Sequence, residues 1–182
     1  MESPRIHLKR RLTVVVGIVA LLVLVPAAGA SAASATRQVQ ALDDCDPATF
    51  NAVLGPGTCV GDGTTTFSEF IAQLLAQGRA PAWRFAPGQL GLDAGGTLQA
   101  NNRGGEDHTF TEVANFGGGC IQALNSLLGL TPVPECAGFP GGAFAATLVP
   151  PGGTVTTAPL PPGVHRYECL IHPWMQTTVT VG

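Results

Sequence analysis

The chain has 182 residues, 45% of them hydrophobic and only 12% charged, with a formal net charge of −3, 24 glycines, 15 prolines and five cysteines. That length allows one domain with appendages. Apart from Lys9-Arg10-Arg11 there is no basic run to neutralise a phosphate backbone, so nucleic acid is excluded as a partner.

The start reads as a leader. Lys9, Arg10 and Arg11 precede an apolar run from Leu12 to Val25, and small residues follow from Pro26 to Ala35, with A-x-A cleavage sequences ending at Ala32 and Ala35. We expect residues 1–35 to be a secretory signal peptide and the protein to be exported, to a periplasm or to the cell surface and beyond. An uncleaved membrane tether is the alternative, because the Ala/Gly/Ser tail extends the run towards the roughly 20 residues that span a bilayer. Without residues 1–35 the chain keeps 5 Lys+Arg against 11 Asp+Glu, and 5 − 11 gives −6. Such an acidic balance is the usual solubilising surface.

Residues 36–80 are expected to be a helical extension. Asp46-Pro47 offers an N-cap and a proline at the first helical position, and Thr66-Phe67-Ser68-Glu69 is a capping box. The helix it opens carries Phe70, Ile71, Leu74 and Leu75 on one face and stops at Gly78. Its expected role is to cover one face or end of the following domain. From residue 81 the texture changes to short alternating runs separated by Gly and Pro. Strands are predicted at about 82–85, 88–93, 97–101, 108–114, 144–149, 154–157, 163–169 and 176–181, which argues for an all-β fold, a Greek-key antiparallel sandwich or barrel over 81–182. One insert departs from this pattern: between Cys120 and Cys136, Ile121, Leu124, Leu127 and Leu128 predict a helical turn or two. Gly117-Gly118-Gly119 lacks the spacing and lysine of a phosphate-binding loop and reads as a turn.

Five cysteines in an exported protein leave an odd thiol. Adjacency pairs Cys45 with Cys59 and Cys120 with Cys136, although four cysteines allow three connectivities, and it leaves Cys169 free. Cys169 opens Cys169-Leu170-Ile171-His172-Pro173-Trp174-Met175, which sets a thiolate, an imidazole and a thioether within seven positions. Soft sulfur donors hold Cu(I) while imidazole suits both oxidation states, and a trigonal His₂Cys set with a weak axial Met is a blue-copper arrangement. The second histidine is expected to be His108, at the head of the alternating run after Glu106-Asp107. With residues 1–35 gone the chain has three histidines and one methionine, and three of these four residues enter the motif. Zinc sites close with Cys, His or carboxylate rather than Met. His165 shares a strand face with Tyr167 and Cys169 but lies roughly 13 Å of extended chain from the cysteine, too far for a shared ligand set.

In these residues the chain resembles the cupredoxin family of plastocyanin- and azurin-like electron carriers, over about residues 81–182. The resemblance rests on His108 upstream, Cys-x-x-His-x-x-Met between the last two strands, Tyr167 two residues before the cysteine and Gly163 at the start of that strand. The two-residue gap between His172 and Met175 resembles the short ligand loop of amicyanin. Relatives often carry Asn after the first ligand histidine, where this chain has Thr109. The resemblance implies one type 1 copper ion held by His108, Cys169, His172 and Met175, single-electron exchange with a redox protein such as a cytochrome or oxidoreductase, and an exit through a His172 ring edge set in an apolar surface patch. It implies a carrier rather than an enzyme. Copper oxidases bridge to a catalytic copper through a histidine beside the ligand cysteine, and Glu168 and Leu170 occupy those places. A copper scavenger, sensor or chaperone, or an accessory domain of an oxidase system, would use the same ligands.

Overall fold

The computed structural model describes residues 35–182. The expected leader, 1–35, lies outside the described residues except for Ala35, and the question of cleavage or tethering lies outside them with it. In chain order the first elements are β1 (Thr36–Leu42), α1 (Pro47–Leu54), α2 (Phe67–Gln77), β2 (Arg84–Ala86), β3 (Gln89–Leu92) and β4 (Thr97–Asn102). After β5 (His108–Thr109), β6 (Thr111–Glu112) and α3 (Gln122–Leu128) come a single 3₁₀ turn, Pro134–Cys136, and α4 (Gly142–Ala146). The chain closes with β7 (Leu148–Val149), β8 (Thr154–Thr156), β9 (Gly163–Glu168) and β10 (Gln176–Val181). Among the described residues no helix is long and apolar enough to cross a membrane.

Two four-stranded sheets, β2-β1-β4-β8 and β3-β10-β9-β6, make a sandwich, with β5 and β7 pairing separately. Alternation along the strands sends one face inward. Val39, Phe85, Leu98 and Ala100 of the first sheet meet Tyr167, Val179 and Val181 of the second in one buried core. Within it the Tyr167 and Phe110 rings stack with centroids 4.4 Å apart.

Three expectations are corrected here. The sheets are mixed rather than antiparallel throughout: β1 runs parallel to β4 and β10 parallel to β3. Hydrophobic alternation locates a strand but carries no information on the direction of its neighbour. Secondly, the segment 36–80 is not wholly helical, because β1 is an inner strand of the first sheet with Val39 and Ala41 buried. The sandwich therefore starts at Thr36, and the helices α1 and α2 lie in the crossover that a parallel pair requires. Thirdly, the strand expected at 144–149 is only Leu148–Val149, since the Ala-rich stretch before it forms α4, in keeping with the helix propensity of alanine.

The helix starts follow local chemistry. Asp46 accepts from the N–H groups of Ala48 and Thr49, and Thr66 and Glu69 satisfy each other's backbone N–H reciprocally. Phe50 of α1 and Phe70 of α2 pack on Trp83, with ring centroids 5.7 and 4.7 Å away. The structure joins Cys45 to Cys59 and Cys120 to Cys136, and Cys169 is free and buried.

Candidate metal centre

Cys169 lies directly after β9, and the turn from Cys169 to Met175 delivers the chain into β10. Two backbone hydrogen bonds close this turn: the Met175 N–H donates to the His172 carbonyl at 2.9 Å, and the Cys169 N–H to the Met175 carbonyl at 3.1 Å. His108 opens β5, which pairs with β7, and reaches the same point from there. The Cys169 Sγ lies 3.8 Å from His108 Nδ1 and 3.9 Å from His172 Nδ1. One ligand atom from each of His108, Cys169 and His172 falls within 4.8 Å of the others, and all three side chains are buried.

The spacing can be tested against a bound ion. With metal–nitrogen and metal–sulfur bonds of about 2.0 and 2.3 Å, a trigonal angle places N and S about 3.7 Å apart, and a tetrahedral angle about 3.5 Å. The observed separations fit the trigonal case better. Two nitrogens and one sulfur at this spacing could hold one metal ion. Met175 is fully buried in the same turn.

The thiol is prepared for a metal. Burial by itself pushes the Cys169 thiol up, but hydrogen bonds and charge from His108 and His172 outweigh it and hold the thiol well below its usual range. The N–H groups of Thr109 and His172 also point at the sulfur, at 3.4 and 3.5 Å. Thr109, the residue that departs from the resembled pattern, pins the turn as well: its hydroxyl accepts from the Leu170 N–H at 2.7 Å. Gly119 lies against the same turn, where a Cβ would fall 2.3 Å from the Leu170 carbonyl oxygen. The glycine run thus permits a close backbone approach, and the next residue, Cys120, donates its N–H to that carbonyl.

Each imidazole has a carboxylate behind it. His108 Nε2 meets Asp43 Oδ2 at 2.8 Å, and both side chains are sealed from solvent. Burial works against the His108 cation, yet Asp43 and Cys169 raise its pKa to about 9. Burial likewise pushes the Asp43 carboxyl up, but His108 and the N–H groups of Gly105 and Glu106 hold it below the usual carboxylate range. His172 Nε2 lies 3.6 Å from Glu106 Oε2, which also accepts from Trp83 Nε1 at 2.6 Å. Desolvation raises the Glu106 carboxyl despite these partners. Such partners orient metal-binding imidazoles and raise their basicity.

Asp43, Glu106 and Trp83 are the site residues that sequence reasoning misses. Their signal is adjacency, Asp43 two before Cys45 and Glu106 two before His108, and adjacency does not separate a buried carboxylate from a solubilising one.

His172 departs from expectation. It is 3% exposed, not set with its edge at the surface, because Phe70 of α2, Trp83 and Trp174 stand around the ring with centroids 5.5 to 6.5 Å away. The crossover helices roof this end of the sandwich. Glu168, beside the cysteine, is also buried; it accepts from the Gly117 N–H, and desolvation lifts its carboxyl to about 7. His165 stays outside the cluster and meets Glu112 at 2.6 Å.

No family model matches the chain. No curated protein matches it either. Solved structures similar to it include a purple cupredoxin from Nitrosopumilus maritimus, 15% identical, covering 80% of this chain and 99% of that one with a TM-score of 0.44. A mutant fern plastocyanin is 14% identical with the same coverage and a TM-score of 0.40. A mutant of amicyanin in its reduced Cu(I) form is 19% identical, covering 54% of this chain and 73% of that one with a TM-score of 0.35. All three are distant likenesses, with identity under 20% and TM-scores under 0.5.

Proposed function

We propose that the protein is an exported type 1 copper protein that carries single electrons between redox partners. The observation that supports this best is the buried set of two Nδ1 atoms and one Sγ at near-trigonal spacing. His108, Cys169 and His172 would hold one copper ion, with the Met175 thioether as a weak axial donor. Copper supplies a one-electron couple, Cu(II)/Cu(I), that this donor set suits in both states.

The chain's own residues keep the geometry from changing. Thr109 fixes the turn at Leu170, and Asp43 and Glu106 fix the two rings, so the donors stay in place as charge comes and goes. Phe70, Trp83 and Trp174 leave His172 almost wholly covered, and such a hydrophobic shell helps set the potential. With that ring covered, electrons would enter or leave through the aromatic groups around it, of which Trp174 sits on the ligand turn itself. The partner would be another redox protein.

The test is a visible spectrum of the copper-loaded protein with a reversible redox titration. An intense thiolate-to-Cu(II) band is expected. Cys169→Ser should abolish it while leaving the fold intact, and a variant that stays intensely coloured would overturn the assignment. Met175→Leu should keep copper and colour while raising the potential, because loss of a donor disfavours the more highly charged Cu(II). An unchanged potential would remove Met175 from the ligand set. Copper that is redox-inactive or freely exchanged would favour a scavenger or chaperone.

A further inference from the structure

Between α2, α3 and the ligand turn lies a cleft of about 440 Å³ whose lining includes His172 and Glu106. We propose that this cleft binds a neutral aromatic molecule bearing a hydroxyl donor, a phenol in chemical class, and that Glu106 receives the hydroxyl. The volume falls within the range of small-molecule sites, about 300 to 1,000 Å³, which combine apolar walls with a few placed polar groups.

The walls are apolar: Phe67 and Ile71 come from α2, and Leu124 and Leu127 from α3. Leu127 is 37% exposed beside the cleft although it is a large aliphatic side chain. Apolar walls that include phenylalanine rings favour an aromatic occupant. The polar part of the lining is different in kind. Glu106 is 5% exposed, one carboxylate oxygen accepts from Trp83, and the other accepts nothing from any described residue. A carboxylate can only accept, so the complementary group on a ligand is an O–H or N–H donor. A charged ligand of either sign would have to leave water for hydrocarbon walls. A neutral phenol meets both demands. The cleft borders the proposed copper site through His172 and Glu106, but its apolar walls hold none of the other proposed ligands, and the metal-free titration below tests it without the copper reading.

The probe is 2-naphthol, titrated by calorimetry into the metal-free and the Cu(I)-loaded protein, with 2-methoxynaphthalene as the comparison that lacks the donor. One equivalent of naphthol should bind, and the ether should bind at least tenfold more weakly, which is about 1.4 kcal/mol. Leu124→Trp, which fills the cleft from α3, should remove naphthol binding. Absence of naphthol binding, equal affinity for naphthol and its ether, or undiminished binding by a folded Leu124→Trp variant would each overturn the proposal. The comparison of the two probes needs no substitution, so it decides the matter even if the Trp variant fails to fold.

Discussion

Asp43 shows how a single side chain far from the ligand motif governs the site. Its carboxylate meets His108 Nε2 and accepts from the Gly105 and Glu106 N–H groups, so the loop before β5 and the first imidazole share one anchor. Loss of such a partner typically costs 10- to 100-fold in metal affinity. Asp43→Ala is therefore expected to weaken copper by about that factor in a chelator competition while the thiolate band persists in saturated protein. Unchanged affinity would mean that Asp43 only packs. The clustering of His108, Cys169 and His172 was legible in the sequence because soft donors are scarce: one methionine and one unpaired cysteine remain once the expected leader and the bridges are set aside. Asp43 and Glu106 were not legible. Acidic residues are common in this chain, and burial of a carboxylate is decided by distant strands and helices, not by its neighbours in sequence.

Elements bring the candidate ligands together through strand pairing. β6 follows His108 closely and pairs with β9, the strand that leads into Cys169, with Thr111 opposite Glu168 and Glu112 opposite Tyr167. On this ladder the His165 Nδ1 meets Glu112 Oε1 at 2.6 Å. Partial burial opposes the imidazolium, and Glu112 more than offsets it, so the His165 pKa lies above its ordinary 6.5. A raised histidine stabilises the folded state fully below the unfolded pKa of about 6.5, and that contribution is lost as pH rises through the folded value. Glu112→Gln should bring the His165 titration, followed by NMR, back towards 6.5. It should also lower stability at pH 5 by no more than about 1 kcal/mol, as suits a pair with an exposed carboxylate, with less effect at pH 9. A His165 titration unmoved by the substitution would assign the shift to the Pro161 carbonyl, which the other ring nitrogen faces at 2.9 Å. Strands such as β9 and β10 were readable from their alternation. β1 was not, because its run Thr36–Leu42 offers only Val39 and Ala41 as fully buried positions and its parallel partner β4 lies far along the chain.

At the scale of the whole molecule, the donors are drawn from one end of a sandwich and the cover over them from a crossover that leaves the first sheet and returns to it. The cover is short of regular structure outside α1 and α2, and the Cys45–Cys59 bridge ties its first turn beside Asp43, where the Val60 N–H also donates to the Gly105 carbonyl. A bridge that closes a loop of about 15 residues contributes about 3 kcal/mol in the chain-entropy account. Both half-cystines are buried, and alanine keeps the site apolar. Cys45→Ala with Cys59→Ala should reduce the stability of the metal-free protein to denaturant by about 3 kcal/mol while the β-sheet circular dichroism is retained. The second consequence follows from position rather than entropy. The bridge brackets α1, whose Phe50 packs with Phe70 of α2 on Trp83, and Trp83 in turn donates to the Glu106 that faces His172. Loosening the anchor should therefore open His172 to solvent, and an external chelator should extract copper faster from the variant than from the bridged protein. Extraction at the unmodified rate, alongside the expected loss of stability, would show that packing of Phe50 and Phe70 on Trp83 holds the roof without help from the disulfide.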